Sequence, residues 1–71
     1  MKQYAVVIEH EGASYGAYVP DLPGCIAAAT TEAEVRKLIR EAIVLHVLAM
    51  QEDGDIVPEP TTHVEYVALV S

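Results

Sequence analysis

The stretch Val19-Pro20-Asp21-Leu22-Pro23-Gly24-Cys25 confines the backbone more tightly than any other part of the chain. Its two prolines fix φ at positions 20 and 23 and remove two amide donors. Each also pushes the residue before it, Val19 or Leu22, toward extended geometry. Pro23-Gly24 suits the two central positions of a type II turn, because the second needs a positive φ that glycine adopts cheaply. A strand is therefore predicted to end near Val19, the chain to reverse over a rigid corner, and a new extended piece to begin near Cys25. Asp21 is expected to lock the corner by accepting nearby backbone amides. Any one of these residues fits an ordinary turn; the seven in this order are more specific.

On either side of the corner the periodicity changes. Lys2 to His10 alternates Tyr4, Val6 and Ile8 against Ala5, Val7 and Glu9, the pattern of a strand with two mostly apolar faces. Glu11-Gly12 marks a hairpin turn, and Tyr15 to Val19 a second strand. Cys25 to Ala29 reads as a short third strand, although its alanines carry little β propensity. Thr31 with Glu34 three residues later has capping-box spacing. Val35, Leu38, Ile39, Ala42, Ile43, His46 or Val47, and Met50 then recur as the stripe of a helix lying on a sheet. Gly54 supplies a stop. Ile56 to Thr62, with Pro58 and Pro60, is an extended connector, and His63 to Val70 alternates like a last strand. The fold class predicted is α+β, a two-layer βββαβ arrangement with an antiparallel sheet and one helix on one face.

The 71 residues suffice for a single small domain, residues 1–71, of a size often helped by self-association. The longest apolar run, Ala42 to Met50, is too short to cross a bilayer, and the first residues read as a strand rather than a signal peptide. One cysteine makes no internal disulfide, so a reducing cytoplasm is expected. The net charge of −7 is unevenly laid out. Arg36, Lys37 and Arg40 hold three of the four basic side chains, and no Lys or Arg follows. Glu41, Glu52, Asp53, Asp55, Glu59 and Glu65 do follow. Such an acidic half disfavours phosphate backbones and suits a basic partner, although acidic residues also simply keep small proteins soluble.

Catalytic chemistry finds little support. Cys25 has no neighbour in sequence that would lower its pKa and no base paired with it by spacing. His10, His46 and His63 fall on a turn, a helix and a strand start, without metal-ligand spacing. His46 sits in an apolar run and reads as a packed histidine. Glu52-Asp53-Gly54-Asp55 lacks the alternating ligands and closing Glu of a calcium loop. No catalytic residue, metal or cofactor is expected. Two other readings stay open. One is a small enzyme using His46 with a carboxylate such as Glu41. The other is an RNA-binding module using Tyr4, Tyr15, Tyr18 and Tyr66, which the lack of a basic groove disfavours.

Taken together, Tyr4, the corner Tyr18 to Cys25, Thr31, Arg40-Glu41-Ala42-Ile43, Leu45-His46, Glu52-Asp53-Gly54 and Ile56-Val57-Pro58-Glu59-Pro60 resemble the HicB-like antitoxin domain of type II toxin–antitoxin systems. The likeness runs through nearly the whole chain in order and spacing. It implies a truncated ribonuclease-H-like sheet, no catalysis, and a small basic mRNA-cleaving, HicA-like toxin as partner. Many members of the family add a C-terminal DNA-binding segment; with the chain stopping at Ser71, no direct DNA binding is expected. The acidic and apolar run Glu52, Asp53, Asp55, Ile56, Val57, Pro58 and Glu59 is the candidate partner surface. Pro20, Asp21, Leu22, Pro23, Gly24 and Cys25 form the structural motif. Strands apolar on both faces, under one helix, predict a homodimer or higher symmetric oligomer.

Overall fold

The computed structural model describes residues 2–70. Three strands precede one helix: β1 (Val7–Glu11), β2 (Ser14–Tyr18), β3 (Ile26–Ala29) and α1 (Glu32–Glu52). The sheet is antiparallel in the order β1-β2-β3, with Ile8 opposite Ala17 and Ala17 opposite Ala27. Gly12, at φ 56°, stands first in the two-residue turn between β1 and β2, where glycine meets no Cβ penalty. The α+β class is as expected, with one helix packed on an antiparallel sheet.

The corner is two β-turns in succession. Leu22 N–H donates to the Val19 carbonyl at 3.1 Å, and Cys25 N–H donates to the Leu22 carbonyl at 3.0 Å. Val19 N–H closes the base on the Cys25 carbonyl at 3.2 Å. Gly24 has φ 86°, as the second central position of a type II turn requires. The tight backbone aims Val19, Leu22 and Cys25 inward. These three, with Ala17, Val35 and Ile39, are the buried core. Leu22 is wholly buried, a contribution of about 1.5–3 kcal/mol from side-chain transfer alone. The corner is thus half of the core as well as a connection.

Helix α1 begins as its capping signal indicates. Thr31 is extended, and its hydroxyl accepts the Glu34 amide at 3.1 Å. Glu32 and Glu34 sit in the first turn, at the positive end of the helix dipole, and Glu32 receives Arg36 at 2.7 Å. At the far end Gly54, at φ 75°, lets Asp55 N–H reach the Met50 carbonyl (2.9 Å) and Gly54 N–H the Gln51 carbonyl (3.2 Å). This is the paired 6→1 and 5→2 closure of a Schellman motif. The helix lies over β3 and β2 and only grazes β1.

The sequence reading departs from the structure at both ends. β1 starts at Val7 rather than Lys2, although Tyr4 and Val6 still pack against the core. Residues 63–70, expected as a fourth strand, pair with nothing among the described residues. Tyr66, Val67, Leu69 and Val70 are more than four-fifths exposed. Alternation in a sequence records two faces; it does not supply an edge to bond to.

Candidate interaction surface at the helix C-terminus

The connector after α1 is held at three places. Tyr4 Oη donates to the Pro58 carbonyl at 2.6 Å. Lys2 Nζ lies 3.2 Å from a Glu59 carboxylate oxygen. The third hold is Asp21. Its Oδ2 accepts the amides of Thr61 (3.0 Å) and Thr62 (2.9 Å), and its Oδ1 accepts their hydroxyls at 3.1 and 2.8 Å. These bonds, the Thr62 amide foremost, favour the ionised carboxylate and hold Asp21 below the ordinary aspartate value. Sequence reasoning gave Asp21 to its own corner. In the structure its carboxylate accepts four hydrogen bonds from a segment forty residues away, which no local pattern announces.

These holds divide the candidate partner residues. Glu52 ends the helix, Asp53 caps it and Asp55 follows; all three are exposed. Ile56 is 90% exposed directly after them. Val57 and Pro58 are half-buried and turn toward the domain, and Glu59 is engaged by Lys2. The exposed part is therefore Glu52, Asp53, Asp55 and Ile56. The last turn carries no basic residue, so three carboxylates add to the negative end of the helix dipole, and none of them makes an ion pair among the described residues. A second feature lay outside the sequence reading. Val44, Leu45 and Leu48 are 49–68% exposed on the outer side of α1, leading toward the acidic end. The sequence carries the signal, since these residues fall off the core stripe of the helix.

The residues weighed for catalysis are not brought together. Glu41 and His46 stand five residues apart on α1, roughly 140° around its axis, so they diverge. His46 is half-buried. Cys25 is buried, and burial pushes its thiol up, away from the thiolate a nucleophile needs. His10 stacks on its cross-strand neighbour Tyr15 with ring centroids 4.2 Å apart. Tyr4 and Tyr15 pack against the core, which removes them from any shared aromatic platform with Tyr18 and Tyr66. Among the described residues no group of three or more His, Cys, Asp or Glu side chains is placed to hold a metal ion, and no helix is long and apolar enough to cross a membrane.

The fold is thus a small antiparallel sheet covered by one helix, with Glu52, Asp53 and Asp55 exposed at the helix end. Residues 4–69 match the model of the HicB-like antitoxin of bacterial toxin–antitoxin systems, and the chain belongs to that family. A relative from Haemophilus phage HP1 (strain HP1c1), an uncharacterized 14.9 kDa protein of the rep-hol intergenic region, is 34% identical over 64 residues. That match takes in 90% of this chain and 48% of the phage protein, so the chain spans about half the length of that relative. A chain of the solved HicA3 and HicB3 toxin–antitoxin complex superimposes with a TM-score of 0.72 at 30% identity, covering 84% of this chain and 70% of that one.

Proposed function

We propose that this protein neutralises a small, basic, mRNA-cleaving toxin of the HicA type by binding it, with no chemistry of its own, in the cytoplasm. The observation that carries the reading is the C-terminus of α1, where Glu52, Asp53 and Asp55 stand exposed beside an almost fully exposed Ile56. A negative surface of this kind steers a lysine-rich partner and can occupy the cleft that RNA needs, while Ile56 supplies a desolvated contact. The structural likeness to a chain of a HicA3–HicB3 complex supports a toxin as the partner class. The antitoxin acts as a homodimer or higher symmetric oligomer.

The test is a binding titration against the product of the adjacent gene, or a HicA-like toxin of the same genome, at two salt concentrations. Association is expected to slow as salt rises, and to slow further when Glu52→Gln, Asp53→Asn and Asp55→Asn are combined. No binding at either salt overturns the antitoxin reading. Tight binding indifferent to salt and to the triple substitution retains the partner and discards the acidic surface.

A further inference from the structure

Residues 64–70 alternate like a strand and pair with no strand among the described residues. Val64, Tyr66, Ala68 and Val70 alternate with Glu65, Val67 and Leu69, and all seven are exposed. The segment projects. The radius of gyration is 13.9 Å and the longest dimension 49 Å, against about 11 Å of radius for a compact chain of this length. Its base is fixed, because Asp21 holds Thr61 and Thr62.

The same chain carries a vacancy of matching chemistry. Among the described residues β1 is an outer strand bonded to β2 alone, so its other edge presents amides and carbonyls without a strand partner. Because α1 leans toward β3, a groove of about 460 Å³ opens between β1 and the helix. Val6, Ile8 and Ile39 line it, and Arg36 and Arg40 stand along it. Arg36 is engaged by Glu32, whereas Arg40 makes no ion pair among the described residues. The projecting segment brings apolar residues on both faces and one charge, Glu65. Tyr66 already borders the groove of its own chain while remaining 94% exposed, so the segment passes the site without filling it.

We propose that the occupant of this groove is residues 64–70 of a second copy, exchanged reciprocally about a two-fold axis. Each segment adds as an edge strand to the partner's β1 and seats its apolar side chains over Val6 and Ile8, with Glu65 facing Arg40. Strand and groove lie on one chain, so the contact closes with two copies and leaves no β1 edge open. The inference rests on the self-association proposed above and says how it is built; it does not depend on the toxin.

Light scattering on the purified chain is expected to give twice the 7.7 kDa monomer mass at micromolar concentration. Val67→Pro removes an amide from an exposed position outside the core; it is expected to yield monomers whose melting by circular dichroism still shows a folded domain. Charge reversal reads the pairing in trans. Glu65→Arg alone and Arg40→Glu alone are each expected to raise the dimer dissociation constant several-fold. An equimolar mixture of the two variants restores both ion pairs and is expected to return association to the starting level. A monomer at tens of micromolar overturns the proposal. So does a dimer indifferent to Val67→Pro, which would place the interface elsewhere, or a mixture no tighter than either variant alone.

Discussion

Gly24→Ala tests the corner with little else changing. A Cβ built on Gly24 meets no atom within 4 Å, so packing contributes nothing to its cost. What remains is the backbone, at φ 86°, beyond the left-handed well near 57° that an L-residue tolerates. Placing a Cβ there costs about 1–2 kcal/mol. Seventy-one residues at about 2.1 cal/mol/K each give an unfolding entropy near 150 cal/mol/K, so each kcal/mol moves Tm by about 6–7 °C. Gly24→Ala is expected to lower Tm by about 7–13 °C, and Gly24→Val by more. Gly16 is the internal control. It has equal space for a Cβ but lies in β2 with no positive φ, so Gly16→Ala is expected to leave Tm unchanged or raise it slightly. Thermal melts of the two variants, followed by circular dichroism, decide the matter. Equal shifts in both would refute the assignment of the cost to the turn.

Thr31→Ala removes the oxygen that accepts the Glu34 amide and is expected to cost about 1 kcal/mol, read as a Tm fall of about 6 °C; Thr31→Ser should recover most of it. The Asp21 clasp carries a pH dependence. The Asp21 pKa is lower in the folded state than in the unfolded chain, so its contribution is complete above the ordinary value of 3.8 and is lost as pH falls through the lower, folded value. Amide exchange at Thr61 and Thr62, corrected for intrinsic rates, is expected to accelerate below about pH 4. Asp21→Asn is expected to show fast exchange at both ends of that range; protection unchanged by the substitution would remove Asp21 from the clasp.

What the sequence disclosed, it disclosed through local restrictions. Pro20, Pro23 and Gly24 leave the corner few backbone choices, and Thr31, Glu34 and Gly54 mark both ends of α1 within a few residues. The acidic run at the helix end was legible for the same reason, being a matter of neighbours in sequence. Its division into exposed Asp55 and Ile56 and half-buried Val57 and Pro58 was not, because that depends on Tyr4 gripping Pro58 across 54 positions. Asp21 is the sharpest case. Its residue type announced a hydrogen-bonding role, but its partners Thr61 and Thr62 are fixed by how the chain returns. The alternation of residues 63–70 likewise identified a segment fit for a sheet, while pairing depends on an edge that the sequence pattern cannot supply.

The clasp also sets how force travels through the molecule. A partner pulling on residues beyond Thr62 loads the bonds to the Asp21 carboxylate before it loads the end of α1. Asp21 stands next to Leu22, the most deeply buried side chain of the corner, so tension passes into the core rather than peeling the helix open at Gly54. On the proposed reading, the clasp is expected to shield the acidic end of α1 from tension on the projecting segment, so that both surfaces are occupied at once without one unwinding the other.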